Sequence, residues 1–371
     1  MYKRIILSTA VLLAALCEAR TASATGYTVA CGTGGNASVV QAQLNAIGSS
    51  PNNSVTVTGT CVGDVTITAA NQLILSGLSL NGSLTLDSTV LTSISGLNLT
   101  GYLTVLNARR ANFNSVVMNG EVDVLHESQV TFNTLTLSSW SDSAGVHDPS
   151  FNCTNQSDCN IVSLSLTGSG TGGGTGNSGL LAASSSRLTV FGGTISGFDI
   201  GVQVWNNSMV FLTPSCASLN VVSNISTGVY STDGGIAKIE GQSAADAASA
   251  GCSGSGPSRM TIAANGRYGV LADGGGNAYL YQTSISGHTL DGIRVQHGST
   301  ARVRSSTIDA ATSSGRSARV MSQAHLFFDE QMNGPAASST LAGPVCVTDS
   351  SSVDTYNSST VLNTVTTCTS P

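Results

Sequence analysis

The stretch CVGDVTITAANQLILSGLS (residues 61–79) is followed by LNGSLTLDSTVLTSISGLN (80–98), LTGYLTVLNARRANFNSVV (99–117) and MNGEVDVLHESQVTFNTLT (118–136). The four blocks align without a gap. Each has nineteen residues with glycine third: Gly63, Gly82, Gly101 and Gly120. Each is apolar at its fifth, seventh, fifteenth and eighteenth positions, which in the first block are Val65, Ile67, Leu75 and Leu78. Alternation inside a block marks strands, and a fixed period between blocks marks a solenoid. One block goes once round a coil of three short strands joined by turns. Its few inward side chains, at roughly 1.5–3 kcal/mol each, do not offset the entropy of ordering the block. The coils must therefore stack, about 4.8 Å apart, each strand hydrogen-bonded to the next. Glycine suits the tight corners. An all-β parallel β-helix is predicted, as one long domain.

Upstream, NASVVQAQLNAI (36–47) spaces Val39, Val40, Leu44 and Ile47 as on one face of a helix, with Asn36 or Ser38 as N-cap. A short helix here would cover the open end of the first coil, whose core and strand edges are otherwise exposed. Downstream, residues 137–176 break the register and read as a long loop holding Trp140, His147-Asp148-Pro149 and a Gly/Thr-rich run. The repeat resumes with a longer period. Aligning Gly179, Gly201, Gly228, Gly269 and Gly292 brings Leu180, Val202, Val229, Val270 and Ile293 into one column. From about residue 320 the period fades, and a C-terminal cap is expected.

The chain begins with Lys3 and Arg4, an apolar run from Ile5 to Leu16, and Ala22-Ser23-Ala24. That is the pattern of a secretory signal peptide over 1–24, too short to span a bilayer. The domain then covers 25–371: a cap over 25–60, regular coils over 61–136, the loop over 137–176, a second coil array over 177–319 and a cap over 320–371. The sequence has 14 basic and 20 acidic residues; without Lys3, Arg4, Arg20 and Glu18 these fall to 11 and 19, a net charge of −8. An acidic chain with so few charges is not built to bind nucleic acid. No later apolar stretch reaches membrane length, and a secreted or periplasmic protein is expected. Eight cysteines remain after Cys17, an even number that reads as disulfides in an exported chain. Sequence does not fix their pairing. Neighbours in order give Cys31–Cys61, Cys153–Cys159, Cys216–Cys252 and Cys346–Cys368. No CxxC pair or histidine cluster suggests a metal, and no cofactor is expected.

The capping helix VVQAQLNAI, the following VTVTGTC and VTITAANQLILSGL, and the later GVLADGGGNAYLYQTSISG resemble the right-handed parallel β-helix proteins of the pectin lyase-like superfamily. The resemblance spans most of 27–310. It implies a single-stranded, right-handed solenoid with a short N-terminal capping helix. It is less specific for activity, since the superfamily holds lyases, hydrolases, esterases, phage tailspikes and non-catalytic adhesins.

In the second array, residues two, four and five after each aligned glycine are expected on the outside or at a strand end. These columns gather Trp205, Tyr230, Asp233, Asp273, Arg294, Gln296 and His297 on one face. Rings stack on the apolar faces of sugars, while carboxylates, amides and arginine bond hydroxyls or uronates. Trp205, Tyr230, Arg294, Gln296, Arg302 and Arg304 are the candidate substrate-binding residues. Asp233, Asp273 and His297 are the catalytic candidates. Two carboxylates on neighbouring coils suit glycoside hydrolysis, one protonating the leaving oxygen and the other activating water. Asp followed by Gly is equally a turn signature. Ser231-Thr232-Asp233-Gly234 and His297-Gly298 resemble fragments of the superfamily's polygalacturonases, whose paired aspartates and Arg-Ile-Lys motif are absent here. Seven of the basic residues fall between 259 and 319, a patch suited to an anionic glycan or a lyase. The expected function is recognition, and possible cleavage, of polysaccharide by a hydrolase or lyase; the alternative is a non-catalytic, adhesin-like structural protein.

Overall fold

The structure, a computed structural model, describes residues 25–142, 145–170, 177–242, 260–309, 315–329, 339–348, 350–356 and 365–367. The signal segment 1–24 lies outside them. Among the described residues, 32 strands form one continuous parallel ladder, closed on itself as a right-handed β-helix.

The repeat explains the core. All sixteen apolar positions of the four blocks are at most 2% exposed. Val65, Leu84, Leu103 and Val122 pair directly, one above the other. The column does not stop there. It continues through Phe151, Leu180, Val202, Val229, Val270, Ile293, Ala318, Val345 and Val365. The two arrays are thus one solenoid, in register throughout. The glycine column has a second cause besides corner geometry. A Cβ on Gly82 would stand 2.2 Å from the Gly63 carbonyl oxygen, and one on Gly101 would stand 2.3 Å from that of Gly82. The coils approach too closely there for any side chain.

Two expected boundaries are corrected. Residues 137–176 are not all loop. An antiparallel hairpin of Trp140–Asp142 and Gly145–His147 leaves the solenoid. The strands Phe151–Cys153 and Asp158–Thr167 then complete a normal coil. The hairpin lengthens the step so that Asn152 lies 29 residues beyond its neighbour Asp123, which hides the coil from a fixed-period reading. Likewise the tail is not a separate cap. The strands His325–Asp329, Val345–Val347, Ser352–Tyr356 and Val365–Thr367 all extend the parallel ladder.

At the other end the strand Thr25–Asn36 pairs with Asn53–Val62, and the helix Ser38–Ile47 lies between them in sequence. Val40, Leu44 and Ile47 are buried, whereas Val39 is exposed. Ala37 occupies the N-cap position, but the Asn36 side chain accepts the Ser38 N–H at 2.8 Å and so supplies the missing acceptor. Cys31–Cys61 and Cys153–Cys159 are disulfides. Cys216 and Cys346 are also disulfide-bonded; their expected partners, Cys252 and Cys368, lie outside the described residues. Among the described residues no helix is long and apolar enough to cross a membrane.

Candidate functional site

Each later coil has three strands, so the solenoid has three faces. The first sheet includes Thr227–Ser231, Tyr268–Ala272 and Asp291–Val295; the second includes Ile236–Glu240, Asn277–Tyr281 and Thr300–Arg304. The corner joining them is a stack of turns with two consecutive left-handed residues. Asn206 and Asn207, Asp233 and Gly234, Gly274 and Gly275, and His297 and Gly298 all have φ between 48° and 82°. Such turns favour Asn, Asp and Gly because these tolerate positive φ at least cost. The backbones stack directly: Asp233 N–H donates to the Gly274 carbonyl, and Gly275 N–H to that of His297.

This corner collects most of the candidate residues. His297 Nδ1 lies 2.6 Å from Asp273 Oδ1. The histidine side chain is 59% exposed and the aspartate 22%. The Tyr230 hydroxyl lies beside the side chains of Thr232 and Asp273. Burial, chiefly, pushes that phenol above its ordinary value, with Asp273 and Asp233 adding to the effect, so it stays protonated at neutral pH. Asp233 Oδ1 rests 3.4 Å from where a Cβ of Gly274 would stand. One aspartate thus sits at a turn tip beside Gly274, the residue after Asp273, and the other is committed to His297.

Below Tyr230 in the same outward column, past Leu271, comes Arg294. Its Nε donates to Gln296 Oε1 at 2.7 Å and its Nη1 to the Tyr268 hydroxyl at 2.6 Å, and its guanidinium stacks over the Tyr268 ring. Trp205, 41% exposed, sits at the same corner, with Thr232 on the coil between it and Asp273. Arg302 and Arg304 belong to the next strand, Thr300–Arg304, and so lie round the corner on the second sheet.

One charged group near the site was not picked out from sequence. Asp291 is buried on the first sheet, in register between Tyr268 and Arg316. Burial pushes its carboxyl up to about 6, outweighing Arg294 and Arg316. The balance is physical: Arg316 Nη1 and Arg319 Nε each stay 3.8 Å from its oxygens, too far for a hydrogen bond. The signal was present, since Asp291 immediately precedes an aligned glycine as Tyr268 does. Among the described residues no three His, Cys, Asp or Glu side chains are grouped to hold a metal.

Residues 201–360 match the family described as right handed beta helix region. Ladder and match together define a right-handed parallel β-helix protein. No curated protein matches the chain in sequence. Among solved structures it is similar to the A-module of the Azotobacter vinelandii mannuronan C-5 epimerase AlgE4, at 11% identity and a TM-score of 0.39, over 89% of this chain and 94% of that one. It is also similar to the periplasmic alginate epimerase AlgG, at 11% identity and a TM-score of 0.33, over 83% and 74%.

Proposed function

We propose that this is an exported protein that binds a polysaccharide along the corner between the first and second sheets, where the Asp273–His297 pair moves a proton of the bound sugar. The observation that carries the reading is the 2.6 Å contact between an exposed imidazole and a half-buried carboxylate. Asp273 accepts the Nδ1–H of His297. That fixes the tautomer that leaves Nε2 as the acceptor on an imidazole that is 59% exposed. The Tyr230 hydroxyl stands beside the same carboxylate. Arg294 stands where it can meet the carboxylate of a uronate, and Trp205 offers a ring two coils away for a further sugar.

This arrangement favours elimination over two-carboxylate hydrolysis. Asp273 is engaged with a base instead of being free to protonate a glycosidic oxygen. In an elimination, His297 removes the proton beside the uronate carboxyl. The electron pair forms the C4–C5 double bond, and the C4–O bond breaks, its oxygen taking a proton from water. The disulfides fit an oxidising compartment, secreted or periplasmic. Incubation with a panel of polyuronates and neutral glycans tests the reading. Ultraviolet absorbance of an unsaturated uronate, lost in His297→Ala, is expected. New reducing ends without that absorbance would instead support hydrolysis. Binding with no change in the glycan would support a non-catalytic role.

A further inference from the structure

Round the corner from that pair, the second sheet carries an ordered outward column. Successive coils place Phe211, Lys238, Tyr279, Arg302 and Phe327 one over another. Ring and cation alternate, one per coil. Lys238 Nζ lies 5.2 Å from the Phe211 ring centre, and the Arg302 guanidinium lies 6.0 Å from that of Tyr279 and 5.7 Å from that of Phe327. All five side chains are half-buried or exposed. Flanking contacts repeat the theme, with Arg187 over Phe211 and Arg304 over Tyr281.

A cation over a ring contributes to stability on its own. That explains each pair but not an alternation held over five coils of an acidic protein. Among the described residues neither Lys238 nor Arg302 has a hydrogen bond or a carboxylate partner. Their donors remain available to a ligand. Spacing points to its nature. One coil advances about 4.8 Å, close to one sugar of an extended chain, so rings two coils apart match a disaccharide. Rings receive the apolar faces of sugars, and the cations between them receive carboxylates or sulfates. We propose that this column binds an extended polysaccharide lying along the solenoid axis and bearing an anionic group on every second sugar. The site uses side chains separate from the Asp273–His297 corner and does not depend on chemistry there.

The test is calorimetric titration at about 0.15 M salt with three probes: a hyaluronan decasaccharide, charged on alternate sugars; polygalacturonate, charged on every sugar; and dextran, uncharged. Hyaluronan is expected to bind and dextran not. Lys238→Gln with Arg302→Gln should weaken hyaluronan at least tenfold and polygalacturonate less. Tyr279→Ala should weaken it several-fold, and Arg302→Lys, which keeps the charge but loses the planar guanidinium stacked on Tyr279 and Phe327, should weaken it less than Arg302→Gln does. All titrations are made in the His297→Ala background, which removes turnover of the probe at the corner, so failure of the corner chemistry and failure of this site are read separately. Absence of hyaluronan binding, indifference to the paired substitution, or a greater loss for polygalacturonate would each overturn the proposal.

Discussion

His297 reaches across the seam between two coils to place its Nδ1 2.6 Å from Asp273 Oδ1. The contact exists because the solenoid repeats. Ala272 and Val295 are paired in the ladder, so the residues just beyond them meet at the corner. His297 adopts φ 51°, a conformation set by the turn stack rather than by its own side chain. Such a pair should act as one unit. Asp273→Asn and His297→Gln are each expected to lower turnover of a responsive polysaccharide by about 10²–10⁴-fold. The double variant should fall no further than the worse single one, while glycan affinity changes only a few-fold. Steady-state kinetics of the three variants check this, and independent, multiplying losses would mean that the two residues do not cooperate.

The glycine column yields a sharper structural test. Gly101 has φ 144°, and a Cβ there would lie 2.3 Å from the Gly82 carbonyl oxygen. Gly101→Ala forces two coils apart and should destabilise by roughly 2–4 kcal/mol. Gly26→Ala, with nothing within 4 Å of the added methyl, is the control and should stay within about 0.5 kcal/mol. Denaturant titration of both variants decides. Equal effects would show that the backbone contact is not what demands glycine.

Sequence carried the architecture because the coil is short and its apolar positions recur. Val65, Leu84, Leu103 and Val122 could be aligned by counting, and they stack as counted. Counting failed at Phe151, where an inserted hairpin changed the step, and beyond Val320, where insertions vary in length. The site was legible only as a column. Placing Asp273 and Gln296 at one position and His297 at the next follows from the repeat. That Asp273 turns to His297, and that Arg294 is held by Tyr268 and Gln296, depends on side-chain rotamers that no period encodes. Asp291 was missed for another reason. A carboxylate beside a strand reads as a solvated edge, and only the packed coils show that it is buried.

Asp291 makes stability depend on pH in a direction opposite to that of a well-paired carboxylate. Folded, it keeps its proton up to about pH 6; its ordinary value is 3.8. The folded state therefore binds the extra proton between those values. Its contribution is fully present below about pH 4 and is lost as pH rises through 6. Asp291→Asn removes the cost of burying the charge and also its attraction to Arg316 and Arg319. Because Oδ1 makes no hydrogen bond, the first effect should prevail. The variant is expected to be more stable at pH 7, by at most about 3 kcal/mol, with the advantage gone at pH 4. Urea unfolding at both values measures it. The same difference at both would mean that ionisation is not its source.

A buried polar column predicts a second pH effect of the opposite sign. Asn224 Nδ2 donates to Asn265 Oδ1 at 2.9 Å, and Asn224 Oδ1 in turn accepts the Phe198 N–H at 3.2 Å. On the next coil the ladder ends at His288, which is 1% exposed. Its Nδ1 is 3.4 Å from the Asn265 carbonyl oxygen and its Nε2 3.2 Å from that of Ile262. A neutral imidazole has one N–H and satisfies only one of these acceptors. Protonation would satisfy both, yet burial lowers the His288 value further than the two carbonyls raise it. The folded state thus prefers the neutral ring. Its contribution is present above the unfolded value of about 6.5 and is lost as pH falls through that value and below it. His288→Asn continues the asparagine ladder without a titrating group. It should match the parent within about 1 kcal/mol at pH 7.5 and exceed it at pH 5, by a few degrees in Tm. Melting curves at the two pH values check this, and a parallel fall in both proteins would place the acid sensitivity elsewhere in the solenoid.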